Sequence, residues 1–130
     1  MIAVDTSVWV AALRRATCGD ARHLSSLLDD DQVVLPITVR FELLSGATSR
    51  DLRRLQRTLA ALPVLAPTES TWTRLEQWVT RAAAGGHRFG VADLLVAALA
   101  SDHDCAVWSL DSDFTRMAGL GFITLHEPPR

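Results

Sequence analysis

Five carboxylates stand where they could work together on a hard cation: Asp5, Glu42, Asp93, Asp111 and Asp113. Oxygen donors with no companion His or Cys suit Mg²⁺ or Mn²⁺ much better than zinc. Such an ion lowers the pKa of a bound water and offsets charge on a phosphate under in-line attack. Gathered without one, the same acids raise each other's pKa and cost folding energy. The basic residues exclude several rival chemistries, because all thirteen are arginine and none is lysine. That removes the P-loop ammonium, a Schiff base, a Ser–Lys dyad and the lysine of a receiver-type phosphorylation site. No Ser–His pair competes as nucleophile and base. Asp102-His103-Asp104-Cys105 has the composition of a zinc site, but adjacent residues rarely converge on one ion.

The elements that must position these acids follow from periodicity and punctuation. Ile2–Val4 reads as a short strand, and Asp5-Thr6-Ser7 offers N-cap chemistry ahead of a helix from Val8 to Leu13. Further helices are expected over Asp20–Leu28, Thr38–Leu44, Ser49–Leu62, Thr68–Ala84, Val91–Ser101 and Ser112–Ala118, with Gly46 a left-handed cap. Asp29-Asp30-Asp31 opposes the negative end of a helix dipole and reads as an exit turn. Strands are expected over Gln32–Leu35, Pro63–Ala66, Ala106–Trp108 and Phe122–Leu125. Trp9, Trp72, Trp78 and Trp108 sit among apolar neighbours and are expected in the core. His87, in a glycine-rich loop, is expected to be exposed, and the tail His126–Arg130 to fray. Short apolar strands alternating with helices make a three-layer α/β/α domain over residues 1–130, with a central parallel sheet of four or five strands.

Ligands of open parallel sheets bind beyond the carboxyl ends of the strands. Asp5 directly follows the first strand, and Asp111 and Asp113 follow Ala106–Trp108. Glu42 lies one turn into the helix after the second strand, and Asp93 lies in the first turn of an almost wholly apolar helix. Each acid alone has a plainer role. Asp5, Asp111 and Asp113 can serve as cap or turn residues, Asp93 can serve the helix dipole, and Glu42 can simply face solvent.

A chain of 130 residues hides about two-thirds of its extended surface, enough for one core. With 48% apolar and 22% charged residues it has the composition of a soluble globular domain. Cys18 and Cys105 are isolated and expected to be reduced. The N-terminus lacks a basic region and no apolar run reaches membrane-spanning length, so cytoplasm is the expected compartment. The net charge of −2 gives no general attraction to nucleic acid. Without the five candidate site acids, however, thirteen arginines face ten acids, a balance of +3. Arg50, Arg53, Arg54 and Arg57 fall at i, i+3, i+4 and i+7, one basic stripe opposite a leucine face. It can be a solvated surface, a track for phosphates or a dock for an acidic protein segment. Arg40, Arg88 and Arg116 lie close in sequence to candidate site residues and are alternative phosphate contacts.

Val4-Asp5-Thr6-Ser7, Glu42, Asp93 opening an Ala/Leu-rich helix, and Trp108-Ser109-Leu110-Asp111-Ser112-Asp113-Phe114 together resemble a PIN domain. More narrowly, the chain resembles the VapC-type toxin half of a bacterial toxin–antitoxin pair, over essentially its whole length. The resemblance implies a Mg²⁺- or Mn²⁺-dependent endoribonuclease acting on tRNA, rRNA or mRNA, commonly a homodimer and silenced by a small antitoxin. By position, Asp5, Glu42, Asp93 and Asp111 match the catalytic acidic quartet, and Asp113 an additional acid. Thr6 or Ser7 matches the small hydroxyl residue beside the first acid, and Ser109 stands where many relatives have Thr. One or two ions are then expected on Asp5, Asp93 and Asp111, with Glu42 and Asp113 binding directly or through water. Ser7 and Ser109 would orient a ligand carboxylate or a phosphate. A binding module of the same fold without turnover is the alternative. A haloacid-dehalogenase-like phosphatase would need an Asp where Ser7 stands.

Overall fold

The computed structural model describes residues 1–129, so Arg130 of the tail lies outside the described residues. In chain order the elements are β1 (Ile2–Val4), α1 (Thr6–Arg14), α2 (Gly19–Asp29), β2 (Val33–Pro36), α3 (Ile37–Gly46) and α4 (Ser49–Ala60). They continue with β3 (Val64–Leu65), α5 (Glu69–Ala84), α6 (Val91–Asp102), β4 (Ala106–Trp108) and α7 (Ser112–Gly119). The sheet runs β3-β2-β1-β4, all parallel, and the helices flank it in a three-layer α/β/α arrangement.

The register decides where the chemistry falls. Val4 of β1 pairs with Trp108 of β4, so Asp5 and Ser109 leave the sheet side by side, and the Asp5 N–H donates to the Trp108 carbonyl at 2.9 Å. Pairing on both edges buries β1 and β2 completely, which is why they read as unbroken apolar runs. α6 is buried from Leu94 to Ala100 and packs against β1, β2 and β4. A helix apolar all round belongs inside. Three of its four alanines, Ala97, Ala98 and Ala100, are fully buried and allow close approach to its neighbours.

Four local expectations are corrected. Gly46 stays within α3, and Ala47, in extended conformation, ends it; the positive-φ glycines are Gly86 and Gly121. Phe122–Leu125 does not form a strand. Only Leu125 bridges to Val107, because Phe122 turns inward and stacks on Trp78, ring centroids 4.3 Å apart, and Ile123 is buried beside it in sequence. Trp72 is half exposed, at 50%, whereas Trp9, Trp78 and Trp108 are buried. The inward face of α5 carries Thr71, Leu75, Trp78 and Ala82, spaced i, i+4, i+7 and i+11, and Trp72 lies one step off it. His87 is half-buried and stacks on Phe89, ring centroids 5.5 Å apart. Of the triple aspartate, Asp29 is the last residue of α2 and Asp30 and Asp31 make its exit turn, with Asp31 in the left-handed region at φ 54°. Cys18 and Cys105 are both free thiols. Among the described residues no helix is long and apolar enough to cross a membrane.

Candidate active site

Asp5 is the most buried of the five acids, only 6% exposed, and is the N-cap of α1. Its Oδ2 accepts from the Ser7 hydroxyl at 2.8 Å, from the Ser109 hydroxyl at 2.8 Å and from the Ser7 N–H at 3.4 Å. Each serine in turn accepts a backbone N–H: Leu110 donates to Ser7 Oγ and Asp111 to Ser109 Oγ, both at 3.0 Å. A hydroxyl has one proton, and here both protons are directed to the same carboxylate oxygen. The 3.2 Å approach of the two hydroxyl oxygens is the consequence. Oδ1 of Asp5 takes no hydrogen bond among the described residues.

Asp111 caps α7, its Oδ1 accepting from the Asp113 N–H at 2.9 Å. That turn brings Asp111 and Asp113 onto one side, facing Asp93 in the first turn of α6. Asp93, Asp111 and Asp113 each present a carboxylate oxygen within 4.8 Å of the other two. Asp113 Oδ1 also accepts from Arg116 Nη1 at 2.6 Å. Glu42 stands exposed on α3.

The electrostatics show that these groups share one space. Burial, followed by the charges of Asp5, Asp111, Glu42 and Asp113, pushes the Asp93 carboxyl up to about 6. Burial and then the Asp5 charge raise Glu42, and the nearby Thr6 side chain opposes that rise. Thr6 Oγ1 is itself buried with no hydrogen bond of ordinary geometry. Asp93 and Glu42 thus feel acids far away in sequence, as oxygens collected for a cation would.

The structure brings together Asp5, Glu42, Asp93, Asp111 and Asp113, with Thr6, Ser7 and Ser109 against them and Arg116 on Asp113. Arg40 is half-buried, with its Nε unpaired, and Arg88 is exposed in the glycine loop. Arg50, Arg53, Arg54 and Arg57 make no ion pair with the cluster. The Asp102–Cys105 run is a turn: Asp102 accepts from Arg74 Nε at 2.7 Å and from the Thr71 hydroxyl at 2.6 Å, and Asp104 is left-handed at φ 52°. Sequence reasoning did not pair Arg116 with Asp113, although their i, i+3 spacing on a helix carries that signal. The Leu110 and Asp111 N–H donors left no signal in residue types.

A parallel α/β/α sheet with its acids collected beyond the ends of β1 and β4 defines a domain of the PIN type. The PIN domain family model matches residues 2–120. Ribonuclease VapC11 of Mycobacterium tuberculosis is 31% identical over 125 residues, 92% of this chain and 93% of its own. Ribonuclease VapC18 of the same organism is 33% identical over 122 residues, 90% of this chain and 87% of its own. The chain belongs to the PIN domain family, on its VapC branch. Among solved structures, VapBC-1 from nontypeable Haemophilus influenzae matches with a TM-score of 0.78 at 20% identity over 98% of each chain. VapBC2 from Rickettsia felis, bound to a promoter DNA fragment, matches at 0.76 and 20% identity over 97% of this chain and 98% of that one. At such identities the likeness is one of fold.

Proposed function

We propose that the chain is a Mg²⁺- or Mn²⁺-dependent endoribonuclease, the toxin of a toxin–antitoxin pair. The observation that carries this is the trio of carboxylate oxygens from Asp93, Asp111 and Asp113, mutually within 4.8 Å. Octahedral Mg²⁺ binds oxygens at about 2.1 Å, so two ligands of one ion lie roughly 3 to 4 Å apart. The trio is within a small adjustment of that spacing, and every donor is hard oxygen. Asp93, Asp111 and Asp113 would hold the ion, with Asp5 Oδ1 and Glu42 contributing directly or through water. When bound, the ion supplies an activated water and offsets charge on the scissile phosphate.

The remaining work falls to this chain's own residues. Ser7 and Ser109 fix Asp5 by holding its Oδ2, which leaves Oδ1 as the oxygen available to an ion. The Leu110 and Asp111 amides fix the serines. Asp93 takes no hydrogen bond among the described residues and Glu42 has only the Thr6 side chain beside it, and both have raised pKa values. With Asp93 on the metal, Glu42, whose carboxyl is raised by burial and by the Asp5 charge, would be the acid left to take up and return a proton. RNA as the substrate is supported by the ribonucleases that this chain resembles at 31% and 33% identity. An antitoxin partner is supported by the VapBC complexes that share its fold.

Purified chain incubated with total RNA and Mg²⁺ or Mn²⁺, beside EDTA and Asp5→Ala controls, tests this. Discrete fragments should form only with the parent chain and metal. RNA bound but left intact in every arm would make the chain a silent binding module.

A further inference from the structure

The outer face of α4 carries charge of one sign. Arg50, Arg53, Arg54 and Arg57 are all exposed, while Leu55 and Leu59 are buried on the opposite side. Among the described residues none of the four pairs with an acid; the ion pairs are Arg74–Asp102 and Arg116–Asp113. The helix's own acid, Asp51, is engaged at the N-terminal cap, where the Thr48 hydroxyl donates to it at 3.2 Å. Four guanidinium forks therefore stand in a row about 10 Å long without an internal counter-ion. The Ala47-Thr48 link joins α4 to α3, against which it packs and which carries Arg40 and Glu42.

A row of arginines fits either an acidic protein segment or the phosphates of a nucleic acid, and the apolar content decides between them. Protein interfaces centre on buried apolar or aromatic anchors. Nucleic-acid interfaces are polar and strongly positive. None of the exposed large apolar side chains lies on α4. Ser49, Gln56 and Thr58 share its surface with the arginines. Exposed Phe41, Val91 and Leu110 stand instead next in sequence, or nearly so, to Glu42, Asp93 and Asp111. We infer that the arginine face of α4 is a track for RNA phosphates, holding the backbone of the strand on which the acid cluster acts. The inference rests on the ribonuclease reading and adds to it a binding surface separate from the acids. Arginine forks match phosphate oxygens two at a time. Such contacts set affinity and register without reading bases.

The test uses the Asp93→Asn chain in EDTA, so that binding is measured without cleavage. A fluorescein-labelled single-stranded RNA of about ten nucleotides is titrated by anisotropy from roughly 50 to 200 mM NaCl. Single strands give a slope of roughly −0.7 in log affinity against log salt per neutralised phosphate, so four contacts give about −3 and about a 50-fold loss over that range. Replacing Arg50, Arg53, Arg54 and Arg57 together by Gln should remove that slope and weaken binding, while the four Lys replacements retain the slope. If the Gln chain does not fold, the single changes Arg53→Gln and Arg57→Gln should each remove about 0.7 of it. An unchanged slope in a folded Gln variant overturns the track. A glutamate peptide of matched charge binding as tightly as the RNA overturns it in favour of a protein dock. Loss of the slope in the Gln variant, with a parent chain that cuts no RNA in Mg²⁺, leaves the track and removes the nuclease reading. Full cleavage with an unchanged slope does the reverse.

Discussion

Removing the charge of Asp93 should stabilise the metal-free protein at neutral pH and abolish its response to metal. Asp93 is held near pKa 6 by burial and by four other acids, against 3.8 for the free group. At about 1.4 kcal/mol per pKa unit, that is roughly 3 kcal/mol of strain in the ionised form. Solvent screening at a partly exposed site reduces it to about 1–2 kcal/mol. Asp93→Asn also loses a favourable charge from the first turn of α6, worth about 0.3–1 kcal/mol. The strain is the larger effect, so the variant should gain about 1 kcal/mol, or roughly 3–5 °C in Tm for a domain of this size. The sign with pH follows from the raised folded-state value. Below about pH 4 both chains carry a neutral group here and their stabilities match, apart from the small helix-dipole difference. The gap opens as pH rises from about 4, where the unfolded chain ionises and folded Asp93 does not, and is nearly complete once pH passes 6. The assay is thermal unfolding by circular dichroism in EDTA from pH 4 to 7.5, repeated with Mn²⁺. At ten times its Kd the ion adds about 1.4 kcal/mol to the parent, and Asp93→Asn should gain nothing. A lower Tm for Asp93→Asn in EDTA at pH 7.5, or a gap that ignores pH, would refute the reasoning.

Ser109→Ala leaves the Asp111 N–H without its acceptor and takes one donor from Asp5 Oδ2. It should cost about 1–2 kcal/mol in urea unfolding and weaken Mn²⁺ binding, whereas Ser109→Thr should restore both. A second pH effect lies away from the acids, where His23 and His126 meet Nε2 to Nε2 at 2.8 Å beside Trp108. Burial and the neighbouring His23 hold His126 below its ordinary value of 6.5. The stability this pair confers is present above pH 6.5 and is lost as pH falls. Denaturant titrations at pH 7 and 5 should show a smaller loss for His126→Gln than for the parent.

The alternation of β1, β2 and β4 with their helices was legible because buried parallel strands read as continuous apolar runs between turn residues. Asp5 and Asp111 were legible as candidates because each follows such a run almost directly. Where tertiary contacts decide, local pattern was insufficient. Phe122 and Ile123 look like strand residues, but stacking on Trp78 turns Phe122 away from the ladder. Trp72 reads as core by composition, yet its angular position on α5 places it outside. Gly46 resembles a cap, yet extended Ala47 and the Thr48 cap of α4 end the turn without a left-handed residue. The convergence of Ser7 and Ser109 on one oxygen joins residues 102 positions apart and follows from the Val4–Trp108 register. Residue spacing carries no trace of that register.

The central claim is that one carboxylate cluster holds the ion that hydrolyses RNA. End-group analysis of the fragments released by the parent chain and by Asp111→Asn in Mn²⁺ and in EDTA tests it most directly. External water attacking the phosphate leaves a phosphate on one fragment and hydroxyls on the other, with no 2′,3′-cyclic phosphate. The account predicts such ends from the parent with Mn²⁺, and no fragments from Asp111→Asn or in EDTA. Cyclic phosphate ends, or cleavage that persists in EDTA, would contradict it.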